Sequence, residues 1–260
     1  MFMIISFANQ KGGVGKTTTT INLGIYLAAA GKKVCLIDID PQSNLTSGLG
    51  YGAHNSEEDN QKSIYDILVN KAKVEEVIFK TRFENIHLIP AHIELAGAEI
   101  ELVNMVSREN SLKESLEAIK QNYDFILIDC PPSLGLLTIN ALTASDEIII
   151  PVQTEYYALE GLGQLLNTVK LVKTKLNSNL KIGGVILTMY DARTNLSKQV
   201  SDEVEKVFGD KVFVSIIPRN VRLSESPSHG QPIKEYAPSS TGAKAYEKLA
   251  KEFIKKKSNY

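Results

Sequence analysis

Phe2-Met3-Ile4-Ile5-Ser6-Phe7-Ala8 is an apolar run, and after Asn9 comes Gln10-Lys11-Gly12-Gly13-Val14-Gly15-Lys16-Thr17-Thr18. The run reads as a buried strand, the glycines as a tight turn, and Thr17 to Ala30 as a helix. A turn between a strand and a helix N-terminus aims several backbone N–H groups at one point, where the helix dipole adds positive potential. That geometry suits the phosphates of a nucleotide. Gly12, Gly13, Val14 and Gly15 supply the backbone, Lys16 reaches the β/γ-phosphates, the Thr17 hydroxyl ligates Mg²⁺ and Thr18 completes the cradle.

Two positions depart from the common phosphate-loop pattern: Gln10 stands where that pattern has Gly, and Lys11 is an additional lysine. Lys11 sits too far round the loop to duplicate Lys16 on the same phosphates. It could cross a dimer interface to a partner's nucleotide, or be a solvated loop lysine. Spacing leaves both open.

Outward from this loop, short apolar runs at 2–8, 33–38, 86–89, 124–129, 147–152, 182–188 and 212–217 alternate with helical segments. Leu162, Leu165, Leu166, Val169, Val172 and Leu176 form one helical stripe, and Leu196, Val200, Val204 and Val207 another. Strands that are apolar throughout are covered on both faces, so the fold class is α/β: a mostly parallel sheet flanked by helices on both sides. Residues 1–260 are expected to form a single domain, and residues 41–62, rich in Gly, Ser and Asn, an irregular mobile loop. Ligands in such sheets bind beyond the carboxyl ends of the strands.

Two further strands end in carboxylates at that edge. Asp129-Cys130-Pro131-Pro132 follows Phe125-Ile126-Leu127-Ile128, and Asp129 fits the role of holding Mg²⁺ through a water. In Asp38-Ile39-Asp40-Pro41-Gln42, Asp38 could support the same metal. Asp40, one pleat further out, could orient the attacking water or simply form an Asp-Pro turn. After the last strand candidate, Pro218 and Asn220 could sandwich and hydrogen-bond adenine, or mark an ordinary strand exit.

Composition narrows the classes. With 43% hydrophobic residues and no apolar run near the ~20 residues of a bilayer span, a soluble globular chain without a signal peptide is expected. Cys35 and Cys130 are far apart, and the four histidines are scattered, which argues against zinc or iron–sulfur sites. Net charge is −1, yet residues 211–260 carry ten Lys/Arg against four Asp/Glu. This basic segment could face DNA, while Lys255-Lys256-Lys257 reads as a solvated terminal helix.

These blocks occur together with Glu155-Tyr156-Tyr157-Ala158-Leu159-Glu160-Gly161 and Pro218-Arg219-Asn220-Val221-Arg222. Jointly they closely resemble the small chromosomal ParA (Soj) proteins of the deviant Walker A family, from Ile4 to about Ala250. The resemblance implies a slow, cytoplasmic, nucleoid-associated ATPase using ATP and Mg²⁺, whose homodimer sandwiches two nucleotides. Lys11 would reach across to the partner's nucleotide, with Lys16 and Thr17 acting within the subunit. Asp40 would be the hydrolytic carboxylate, and Asp38 and Asp129 would serve the magnesium. The dimer would bind double-stranded DNA without sequence preference until a ParB-type partner, through its basic N-terminal peptide, stimulates hydrolysis. The cycle would drive segregation of a chromosome or plasmid and could also tune replication initiation. Arg193 and Arg222 match basic positions used against DNA, with Arg219, Lys198 and Lys234 as further candidates.

The alternative is a MinD-like membrane ATPase, which needs an apolar face on the C-terminal helix. Leu249, Phe253 and Ile254 give only a short stripe there, so no membrane is expected. A nitrogenase-reductase-like electron donor would need cysteines placed to share a cluster, which Cys35 and Cys130 do not provide.

Overall fold

The computed structural model describes residues 2–52, 62–156 and 160–257. Its strands are β1 Met3–Phe7, β2 Val34–Asp38, β3 Phe79–Lys80, β4 Ile86–Ile89, β5 Phe125–Asp129, β6 Glu147–Gln153 and β7 Lys181–Thr188. Its α-helices are α1 Lys16–Ala29, α2 Asn44–Gly48, α3 Ile64–Leu68, α4 Leu95–Leu102, α5 Ser111–Leu116 and α6 Leu136–Ala144. They continue with α7 Glu160–Lys175, α8 Asn195–Phe208, α9 Val221–Glu225, α10 Ile233–Tyr236 and α11 Thr241–Lys257. The strands form one sheet in the order β3-β4-β2-β5-β1-β6-β7, parallel except for β3 against β4.

Alternation along each strand divides the core into two layers. Met3, Ile5, Leu36, Phe125 and Leu127 pack with Leu23 and Leu27 of α1 and with Tyr246, Leu249 and Phe253 of α11. Ile4, Cys35, Ile37, Ile126 and Ile128 pack on the other side with Leu137 of α6, Leu165 of α7 and Val204 of α8. Each such side chain contributes about 1.5–3 kcal/mol on leaving water. Helix α1 lies so close to the sheet that a Cβ on Gly24 would come 2.7 Å from a Leu36 methyl carbon.

The register sets the site. Phe7 of β1 pairs with Asp129 of β5, and Asp129 pairs with Asp38 of β2 on its other side. Both carboxylates therefore end their strands at the level where β1 gives way to the glycine loop.

Three expectations are corrected. Residues 212–217 do not form a continuous strand: they meet β7 at isolated points, the Val185–Val212 bridge and the Ile217 amide donating to the Leu187 carbonyl at 2.9 Å, with Tyr190–Pro218 just beyond. The Val214 and Ser215 amides donate instead to the Glu252 carboxylate of α11, both at 2.8 Å, which draws the segment out of the ladder. Residues 41–62 are not uniformly irregular, because α2 packs beneath the sheet edge with Leu45 and Leu49 buried; His54 to Gln61, including the polar run Asn55 to Asn60, lies outside the described residues.

The third correction concerns the terminal lysines, of which only Lys255 is exposed. Lys256 Nζ donates to the Asp210 carbonyl at 3.0 Å and covers the Phe213 ring. Lys257 is 5% exposed, pairs with the equally buried Glu147 of β6, and lies near the Gly183 carbonyl. With Leu249 and Phe253 fully buried, the apolar face of α11 is already used by the core. Lys257→Ala would strand the Glu147 charge, and we expect a loss of about 3 kcal/mol in urea unfolding. An unchanged midpoint would show that the pair contributes nothing.

Candidate nucleotide-binding site

The loop after β1 is held from several directions. Asn9 donates to the Pro151 carbonyl at 2.7 Å and accepts the Lys11 amide at 3.0 Å. The Thr188 hydroxyl at the end of β7 donates to the Val14 carbonyl at 2.8 Å. Gly13 and Gly15 have φ of 72° and 84°, left-handed values that glycine adopts without strain. Gly15 then hands the chain into α1 with its first amides free of any side-chain cap.

A cavity of about 590 Å³ opens over this helix end. Gly12, Gly13, Gly15, Lys16, Thr17 and Thr18 form one wall, and Asp40, Gln42, Asn44 and Ser47 another. Met189, Pro227 and Ser228 also line it. A larger cavity of about 930 Å³ lies at the far edge of the sheet around Lys33, Lys80 and His87, without a glycine loop or carboxylate cluster. Chemistry rather than volume selects the first.

Lys16 is 7% exposed, with Nζ 3.3 Å from the Lys11 carbonyl. Burial lowers its pKa, and the nearby Asp129, Cys130 and Asp40 oppose that shift. Asp129 is fully buried. Burial raises its pKa well above the usual carboxylate range and Asp38 adds to the rise, while Thr17 and Lys16 oppose it. Its Oδ1 lies 3.4 Å from the Thr20 hydroxyl, and its Oδ2 is buried with no partner.

That unpartnered oxygen is the observation that tests a metal at this site. Asp129 and Asp40 crowd one buried lysine, with Asp38 adding negative charge beside Asp129, and a divalent cation with its waters would supply the missing charge and donors. The Asp129 and Thr17 oxygens fit Mg²⁺.

Asp38 is differently employed. Its Oδ2 accepts the Thr46 amide at 2.9 Å and the Thr46 hydroxyl at 2.8 Å, and its Oδ1 accepts the Asp40 amide at 3.1 Å. Burial still pushes its pKa up to about 6. The sequence placed Asp38 at the metal, but its oxygens are committed to tying α2 and Asp40 to the end of β2. Asp40 does line the cavity; its Oδ1 accepts the Gln42 amide at 3.0 Å.

Pro218 and Asn220, the residues expected against the base, do not line this cavity. Asn220 Oδ1 caps α9 through the Arg222 amide, and its Nδ2 donates to the Thr241 hydroxyl at 2.7 Å. Met189, Pro227 and Ser228 do line it. Met189 holds a φ of 52°, strained for a non-glycine residue, and a lone methionine gives no sequence signal for it.

Lys11 turns away from its own loop. Its Nζ is 3.9 Å from Glu155, which also takes Arg219 at 2.7 Å. Tyr157 to Leu159 of the same sequence block, and the Glu160 side chain, lie outside the described residues.

Arg193, Arg219 and Arg222 gather at the end of β7, where Tyr190 bridges to Pro218. Each is ion-paired in the free chain, Arg193 with Asp191 at 2.7 Å and Arg222 with Glu225 at 2.9 Å. Exposed pairs of this kind are worth about 0–1 kcal/mol and yield readily to a phosphate. Lys198, exposed on the first turn of α8, follows Arg193 closely. Lys234 lies apart, beside Arg82 and Glu84 near the opposite sheet edge.

A family profile described as an AAA domain matches residues 2–182. The sporulation initiation inhibitor protein Soj of Bacillus subtilis (strain 168) is 64% identical over 252 residues, covering 97% of this chain and 98% of the relative. The chromosome-partitioning ATPase Soj of Treponema pallidum (strain Nichols) is 55% identical over 248 residues, covering 95% of each. Among solved structures, the cobyrinic acid a,c-diamide synthase from Mycobacterium smegmatis, with bound ADP and magnesium, is 36% identical with a TM-score of 0.85. That match covers 100% of this chain and 97% of the other.

Proposed function

The chain belongs to the Soj/ParA family of chromosome-partitioning ATPases, and from that membership we propose how its residues run the cycle. It is an ATPase that takes ATP and Mg²⁺, and one domain spanning the chain carries the activity. The amidating name of the solved neighbour belongs to a less similar protein, at 36% identity against 64% and 55% for the Soj relatives.

In this reading the amides of Gly12 to Gly15 and the Lys16 ammonium bind the triphosphate, and Thr17 with Asp129 holds the magnesium. The metal supplies charge neutralisation on the phosphates. Asp38 positions Asp40 through its amide, and Asp40 orients the attacking water. Two chains close face to face over two nucleotides, with each Lys11 leaving Glu155 for the partner's phosphates. The dimer binds DNA without sequence preference through Arg193, Arg219 and Arg222, by contacts that weaken steeply with salt. A ParB-type protein stimulates hydrolysis and releases the dimer from the nucleoid.

The observation that carries this reading is the second lysine of the loop, held off its own phosphate cradle at Glu155. Lys11→Ala should keep single-chain ATP binding within about threefold, yet lose the dimer in light scattering and retention on DNA. A variant that still dimerised with ATP would remove the lysine from the interface.

A MinD-like membrane track is the second reading, and the burial of the α11 apolar face speaks against it.

A further inference from the structure

We propose that Thr46 is a positioning residue for hydrolysis: acting through Asp38, it fixes the direction in which Asp40 holds its water. The proposal rests on the reading of Asp40 as the water-orienting carboxylate.

A threonine on a helix commonly turns its hydroxyl back to a carbonyl of the preceding turn. Thr46 is 1% exposed on α2 and spends its hydroxyl on two neighbouring strand ends instead. Its Oγ1 accepts the amide of Ala91, two residues beyond β4, at 3.1 Å. The same hydroxyl donates at 2.8 Å to Oδ2 of Asp38, the last residue of β2. An amide can only donate, so Ala91 occupies a lone pair of the hydroxyl and leaves its proton for the carboxylate. The Thr46 amide reaches the same oxygen at 2.9 Å.

Asp38 passes that restraint to Asp40. The last torsion of an aspartate is soft, so a carboxylate engaged at one oxygen still turns. With Oδ2 pinned twice, Oδ1 stays aimed at the Asp40 amide, which it accepts at 3.1 Å. The Asp40 carboxylate takes the Gln42 amide at 3.0 Å and is held from its other end as well. Asn44 and Ser47, which bracket Thr46 on α2, line the same cavity as Asp40, while Thr46 itself does not. One buried hydroxyl thus sets a cavity wall and the hydrolytic carboxylate together. A displacement of about 1 Å at a reacting group can cost about a hundredfold in rate.

The test is single-turnover ATP hydrolysis by the full chain, read as phosphate release, beside titration of a fluorescent ATP analogue. Thr46→Val has the same shape without the hydroxyl. It should slow hydrolysis about 10–100-fold and leave ATP affinity within about threefold. Thr46→Ser keeps both hydrogen bonds and should hold the rate within about threefold of the unaltered chain. In an Asp40→Ala background Thr46→Val should have no further effect, because its path ends at Asp40. Should Thr46→Val fail to bind ATP, Thr46→Ala takes its place under the same expectations, since it sets no methyl against the Ala91 amide.

Unchanged hydrolysis without the hydroxyl, a Thr46→Ser variant equally slow, or an equal further loss in the Asp40→Ala background would overturn the proposal. Loss of ATP binding in both Thr46→Val and Thr46→Ala would make Thr46 a support of the fold and overturn it too. Normal turnover of Asp40→Ala would remove the Asp40 reading and this one with it. A slow Asp40→Ala beside a normal Thr46→Val would overturn this one alone.

Discussion

Lys16→Ala is expected to weaken ATP binding about a hundredfold or more, measured by titration of a fluorescent ATP analogue. The reason is more than the loss of one contact to phosphate. Lys16 is the buried cation facing Asp129, with Asp40 close by. Its removal leaves those carboxylates facing an anionic ligand without a counter-charge, and truncating one member of a buried charged set costs about 2–5 kcal/mol. Lys16→Arg should rescue little, because the planar guanidinium cannot occupy a pocket shaped for an ammonium beneath the Lys11 carbonyl. Affinity within a few-fold of the unaltered chain would mean that the loop amides alone hold the nucleotide.

Asp40→Ala is expected to lower ATP hydrolysis by about 10²–10⁴-fold, measured by phosphate release, with ATP binding retained. Asp40 lines the cavity, while its backbone amide is fixed by Asp38 and one carboxylate oxygen by the Gln42 amide. Such a carboxylate can aim a water without being part of the phosphate cradle. The variant should accumulate as an ATP-bound dimer that stays on DNA, the opposite of Lys11→Ala in the same light-scattering assay. Normal turnover would make Asp40 a turn former and nothing more. A chain that remained single with ATP and Mg²⁺, even with hydrolysis blocked, would remove the basis for the cycle.

The parts of this protein legible in its sequence are those set by local patterns. Seven residues of apolar run, a glycine turn and Lys16 announced the phosphate loop. Apolar strands ending in Asp38 and Asp129 placed both carboxylates at one edge, because parallel strands deliver their last residues to the same side. What escaped notice depends on contacts between distant segments. Nothing near Thr46 advertises that its hydroxyl and amide will take both lone pairs of Asp38 Oδ2. Glu252 captures two backbone amides from a distant segment and so breaks the predicted strand at 212–217. Lys257 sat in a run of three lysines, and only the fold shows that it is the buried partner of Glu147. Asn220 is likewise set by distant contacts: its Oδ1 caps α9 through the Arg222 amide and its Nδ2 donates to Thr241, twenty-one residues on.

The pairing of Phe7 with Asp129, and of Asp129 with Asp38, makes counting as decisive as chemistry. Side chains on a strand switch faces with every residue, so one inserted residue between Val34 and Ile37 would swing Asp38 to the wrong side of the sheet. Thr46 would then lose its acceptor and Asp40 its anchor, though no residue of the site had been replaced. Changes of length in this protein therefore belong in the connections between strands, and the spacing from each turn to its carboxylate is itself part of the active centre.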